Sequence, residues 1–200
     1  MELEVNTILK RHQFFTNATA DYNGPDGDRA PLLKGLFKAR RLPDLDACKG
    51  GVRWWLEIKG KASSSWYLKG FTEDHGIDLA CFNDYLAVQE ATGTPVWLII
   101  KELGRQFLED PTADKWLGGK VLPKPQDLTR TGGVCYLYQS LDWLKQAGPR
   151  ESHIWDCRMV YWPRSVFIDG GVNVHFDFVD TSRRGVQKHT IFRSDHAKAT

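Results

Sequence analysis

Asp44, Glu57 and Lys59 are the side chains whose types and spacing could do chemistry in this chain. Carboxylate oxygens are ligands for hard cations, and Mg²⁺ typically takes one or two of them while keeping several waters. An ion held in that way can polarise a phosphoryl oxygen and lower the pKa of a water. A lysine two residues after the second acid, on the same strand face, can orient that water or offset charge growing on a phosphate.

These groups meet only if residues 43–61, PDLDACKGGVRWWLEIKGK, fold back on themselves. Gly50-Gly51 between two β-prone runs is the signal for a two-residue hairpin, because a tight primed turn needs positive φ. With 50 and 51 at the turn, paired positions sum to 101. That register sets Asp44 opposite Glu57, Leu42 opposite Lys59 and Asp46 opposite Trp55. Strand alternation then gathers Leu45, Ala47, Trp54, Leu56 and Ile58 on an apolar face. Asp44, Asp46, Glu57, Lys59 and Lys61 share the other. The competing reading is a solvated hairpin with ordinary cross-strand ion pairs. A three-residue turn would slip the register and separate Asp44 from Glu57.

Pro43-Asp44, followed after the hairpin by Glu57-Ile58-Lys59, resembles the signature of the PD-(D/E)xK nuclease superfamily. Gly60-Lys61 extends the likeness to the E-x-K-x-K form of its resolvase-like and phage-associated members. The resemblance covers residues 2–101. It implies an α/β, restriction-endonuclease-like core in which a central mixed β-sheet is flanked by helices. It also implies a Mg²⁺- or Mn²⁺-dependent nuclease hydrolysing DNA to 5′-phosphate and 3′-hydroxyl ends. Asp44, Glu57 and the Ile58 carbonyl would hold the ion and Lys59 would place the attacking water. Glu4 is a further candidate ligand, since a first-helix glutamate often joins such a site, and Glu2 is a weaker one. Both acids also suit a helix N-terminus without any metal. Asp46 is a reserve ligand. Lys61 and Gln89 become candidate substrate contacts, with a polar surface position the other reading for Gln89. A homodimer with paired sites is the assembly implied for a resolvase-like enzyme.

The elements that must position these groups are legible to different degrees. Val5, Ile8, Leu9, His12 and Phe15 recur at helical spacing, predicting a first helix. KGLFKARR, residues 34–41, brings cations to the start of the hairpin, and Arg40 and Arg41 are candidate DNA contacts. A solvated charge run is the alternative. A second helix is expected over about 77–92, closed by Gly93, with Tyr85 in its apolar stripe. PVWLIIK, 95–101, is an apolar run predicting a strand covered on both faces. Residues 71–78, with His75 between Asp74 and Asp78, read as a loop capping that helix. Asp26 and Asp28 lie in a Gly/Pro/Asp loop that lacks the rest of a calcium motif.

Strands are expected at 134–138, 159–163 and 172–180, with a short helix through SLDWLKQAG. Together they make a β-rich C-terminal extension. The expected organisation is one nuclease domain over 1–180, with a core at 1–101 and an α+β extension at 102–180. A basic tail follows at 181–200. A net charge of +2 over 200 residues lays no general positive field around the chain, so polyanion binding must come from local patches. Four cysteines without metal-finger spacing suggest reduced thiols and a cytoplasmic setting. No signal peptide or membrane-length apolar run is seen. Two other readings stand beside the DNA nuclease. One is a non-catalytic nucleic-acid-binding protein on the same scaffold, and the other is an RNA-directed nuclease.

Overall fold

The computed structural model describes residues 2–19, 32–34, 39–61, 65–67, 72–102, 134–154, 157–171 and 174–178. The Asp26–Asp28 loop, all of 103–133 and the basic tail lie outside the described residues.

The hairpin forms as the glycine pair requires. β4 (Leu45–Lys49) and β5 (Val52–Lys61) are antiparallel, with Lys49 opposite Val52 and Leu45 opposite Leu56. Gly50 and Gly51 both have positive φ, 58° and 80°, the conformation a type I′ turn demands. The paired register ends at Leu45, so the expected Leu42–Lys59 pairing is not made. Pro43 has no N–H to offer a ladder, and Asp44 instead turns its side chain to the Ile58 N–H at 2.8 Å.

Around this hairpin lies a six-stranded mixed sheet, in the order β1 (Phe15–Ala18), β4, β5, β8 (Val96–Glu102), β9 (Cys135–Ser140) and β12 (Ile168–Asp169). Only β5 and β8 run parallel, joined by a crossover through α2 (Leu79–Thr92). The apolar run at 95–101 is thus an inner strand, with Val96 through Ile100 fully buried. Its alternate residues divide between two cores. Val96, Leu98 and Ile100 pack under α2, and Trp97 and Ile99 face the other way. The expected apolar face of the hairpin, Leu45, Ala47, Trp54, Leu56 and Ile58, lies wholly in this second core. Val5 and Leu9 of α1 (Glu2–Arg11) cover it. Helices therefore close opposite faces of a mixed sheet, the α/β architecture expected from the sequence.

α2 buries Cys81, Phe82, Tyr85 and Val88 and ends at Gly93, whose φ of 63° lets its N–H reach the Gln89 carbonyl. Its first residue is Leu79 rather than a position near 77, because 72–78 is a strand and not a loop. β7 (Thr72–Asp78) joins β6 (Ser65–Tyr67), β10 (Arg150–Ile154) and β11 (Cys157–Pro163) in a second antiparallel sheet. Polar DHGID lacks the alternation that marks a strand, yet Asp74 through Ile77 are buried. Gly76 explains the close packing, since a Cβ there would stand 2.6 Å from the Tyr161 ring and from the Val160 carbonyl oxygen. α3 (Leu141–Gln146) is the expected short helix, capped by Ser140 accepting from the Trp143 N–H.

Three further expectations change. Phe15 is not on α1. The helix stops at Arg11, Gln13 takes a φ of 65°, and Phe14 turns inward while Phe15 is 78% exposed on the edge strand β1. The cationic run contains a small hairpin, β2 (Leu32–Lys34) with β3 (Ala39–Arg41), packed against α2. Residues 174–178 keep the alternation, with Val174, Phe176 and Phe178 buried and His175 and Asp177 outward, but join no strand ladder. Their rings complete an aromatic cluster with Phe14, Trp54 and Tyr138.

Candidate active site

β5 carries the site because its alternation aims Glu57 and Lys59 at α2, away from the packed Leu56 and Ile58. Glu57 is completely buried, a costly position for a carboxylate without compensation. Its compensation is the Lys59 ammonium, with which it forms an ion pair. Beyond that pair, neither Glu57 oxygen has a hydrogen-bond partner of good geometry among the described residues. The Tyr85 hydroxyl of α2 also faces this carboxylate, whose remaining lone pairs could take a cation.

Asp44 stands beside it at the end of β4. Burial, and then the Glu57 charge, push its carboxyl up to about 7, against the opposing pull of the Ile58 N–H and Lys59. The N–H and C=O of a strand residue point to the same side. The Ile58 carbonyl is therefore directed into the gap that β4 leaves when its ladder stops at Leu45. Burial works against the charge of Lys59, yet Glu57 and Asp44 outweigh it and hold the ammonium above its ordinary value. Lys61, one alternation further, is lowered by burial and by Lys59.

Across from the strand, α2 supplies Cys81 and Tyr85, one turn apart. Tyr85 is 2% exposed, and its hydroxyl is raised well above its usual range by burial first and by the facing Glu57 next. The sequence placed Tyr85 in the apolar stripe, and it is there. Its second role follows from parity, because the Glu57 face of β5 is the face α2 covers. Arg41 reaches in from β3 to touch the Cys81 sulfur. Asp84 fixes β3 by accepting from the Arg41 N–H at 3.3 Å and from the Arg40 guanidinium at 3.1 Å.

Other candidates lie elsewhere. Asp46 accepts a two-pronged hydrogen bond from Arg53 across the hairpin, at 2.7 and 2.8 Å, so its carboxylate is already engaged. Glu4 is held by the Lys101 ammonium and by the Tyr136 hydroxyl at 2.6 Å. Tyr136 belongs to the core under α1, so Glu4 is turned to the opposite face of the sheet. Glu2, not Glu4, is the first-helix acid whose charge reaches Asp44. Gln89 bridges the Asp142 carboxylate at 2.6 Å and the Val96 N–H at 2.8 Å, a structural tie among α2, α3 and β8. Arg40 is half-buried in its pair with Asp84.

Among the described residues no three His, Cys, Asp or Glu side chains converge as a metal cluster. The donor set on offer is two carboxylates and a backbone carbonyl, all oxygens. That suits Mg²⁺ or Mn²⁺ completed by water rather than an all-protein cage.

No protein family's sequence pattern matches the chain, and no curated protein matches it. Solved structures similar to this chain in fold include two. One is Hjc, a Holliday junction resolvase from the archaeal hyperthermophile Archaeoglobus fulgidus, at 9% identity and a TM-score of 0.44, over 84% of this chain and 87% of that one. The other is D212, a nuclease from a fusellovirus, at 8% identity and a TM-score of 0.35, over 84% and 79%.

Proposed function

We propose that this protein is a divalent-metal-dependent nuclease that hydrolyses DNA phosphodiester bonds. The observation that carries the reading is the fully buried Glu57, set beside Asp44 from the neighbouring strand and paired with Lys59. Asp44, Glu57 and the Ile58 carbonyl would hold the ion. Mg²⁺ or Mn²⁺ there would supply electrophilic stabilisation of the phosphate and make a water more acidic.

The chain's own residues do the rest. Lys59, tied to Glu57, presents an ammonium where it can donate to the attacking water or to a non-bridging phosphate oxygen. Asp44, once deprotonated, accepts from the Ile58 N–H and keeps its other oxygen free to bind. Lys61 and Arg41 would add positive charge near the phosphate and help orient the strand. The water oxygen attacks phosphorus in line as the P–O3′ bond breaks. The departing 3′-oxygen takes a proton, leaving a 3′-hydroxyl, and the water oxygen stays on the 5′-phosphate. Two copies of the chain would present two such sites to paired strands, and a measured solution mass of twice the chain would support that part.

Incubation with linear, circular and branched DNA, with and without Mg²⁺ or Mn²⁺, tests the proposal. Cleavage should require the metal and fall steeply in Lys59→Ala and Glu57→Gln. A DNA mobility shift without cleavage under every metal would favour a binding protein, and cleavage undiminished in both variants would place the chemistry elsewhere.

A further inference from the structure

The imidazoles of His12 and His175 meet on the face of the sheet away from Asp44 and Glu57, beside the core that contains Phe14 and Val174. His12 directly follows α1, and His175 belongs to the 174–178 stretch. Their Nδ1 atoms stand 2.9 Å apart, with the rings nearly perpendicular at 85°. Two basic nitrogens face each other at that distance in two circumstances. Either one carries a proton and donates to the other, or both lone pairs converge on a cation. Imidazole nitrogens bind transition ions at about 2.0–2.1 Å, so neighbouring ligands on one ion are separated by about 3 Å. The observed spacing fits that bite.

The chain around His175 gives such a clip something to do. Residues 174–178 pair with no strand and are held by their buried rings and by the Trp54 indole N–H donating to the Phe178 carbonyl at 3.1 Å. Burial and the facing ring lower His12, against the opposing pull of the Val174 backbone, and so favour the neutral form that ligates.

We propose that His12 and His175 form a two-histidine site for a divalent transition cation, clipping the 174–178 stretch onto the end of α1. Nitrogen ligands select Ni²⁺, Cu²⁺ or Zn²⁺ over Mg²⁺, so this site is chemically distinct from the oxygen site at Asp44 and Glu57. The Lys49 ammonium lies near enough to act on His12, and its repulsion, together with only two protein ligands, makes the site an open one that exchanges its ion. The inference is independent of the nuclease reading.

Calorimetric titration with Ni²⁺, in an Asp44→Asn background that silences the oxygen site, is the test. One equivalent should bind. His175→Asn and His12→Asn should each weaken it tenfold or more, while Mg²⁺ shows no such site. His175 is exposed, so its replacement should leave the fold intact, and circular dichroism of both variants would verify this. Ni²⁺ binding unchanged in His175→Asn, or absent from the parent protein, would overturn the proposal and leave a plain N–H···N hydrogen bond.

Discussion

At the scale of the residue, Glu57 sets the terms. A carboxylate with no exposed surface persists only where a partner offsets its desolvation, and Lys59 is that partner. Glu57→Gln and Lys59→Ala should each lower cleavage by about 10²–10³-fold, the cost typical of losing one electrostatic contact to a transition state. Initial-rate assays at saturating metal check this. Asp46→Asn should leave those rates unchanged, since Arg53 engages that carboxylate.

Asp44 adds a pH dependence with a definite sign. Its folded carboxyl sits at about 7 against 3.8 as the unperturbed value. Between these pH values the folded state holds a proton the unfolded chain has lost, so this group's contribution to stability falls as pH rises to 7. A divalent ion competes with that proton. The thermal stabilisation given by Mg²⁺ should therefore be small near about pH 6 and grow towards about pH 8. Melting curves with and without metal would reveal a flat or inverted trend if Asp44 is not a ligand.

At the scale of the element, β7 and β8 are locked by charge as well as by packing. Glu102 at the end of β8 receives the buried His75 at 2.6 Å and a two-pronged Arg164, which also reaches Asp169 at 3.0 Å. Burial opposes the charge on both acids, yet their partners win. Glu102 is lowered, and Asp169 falls to about 2 with help from the Cys135 thiol, the Gly171 N–H and Arg164. Depressed carboxyls stabilise the fold above their unfolded values and lose that contribution as pH falls through the folded ones. Arg164→Gln should cost about 3–5 kcal/mol at neutral pH. It should also flatten the loss of stability between about pH 4 and pH 2, as denaturant titrations at several pH values would show. Gly76→Ala should destabilise as well, by about 1–3 kcal/mol, because its methyl meets backbone as well as the Tyr161 ring.

The elements differed in how plainly the sequence announced them, for physical reasons. The Gly50-Gly51 turn fixed a register, and from it the hairpin's two faces followed. PVWLIIK needed only its own apolarity. β7 was hidden because its inward residues include Asp74 and His75, whose burial depends on Arg150 and Glu102, partners 76 and 27 positions away along the chain. Glu4 shows the same limit. Helical spacing places it in the first turn, but which face of the sheet that turn meets is decided by Tyr136.

At the scale of the whole molecule, the six-stranded sheet divides two environments. One face holds the carboxylates, Lys59, α2 and the β3 arginines. The other holds α1, an aromatic cluster and the two histidines. That division predicts separable behaviour. Substitutions in the aromatic cluster, such as Phe178→Ala, should lower stability by about 3–5 kcal/mol while leaving the metal requirement for cleavage unaltered, as melting curves and metal titrations would show. No described helix is long and apolar enough to cross a membrane.

The central claim is that Asp44 and Glu57 share one hard cation. Anomalous scattering from crystals soaked in Mn²⁺ tests it most directly. A peak within reach of an Asp44 oxygen, a Glu57 oxygen and the Ile58 carbonyl is expected, and it should disappear in Glu57→Gln. A soaked crystal with manganese bound elsewhere and none between those two carboxylates would contradict it.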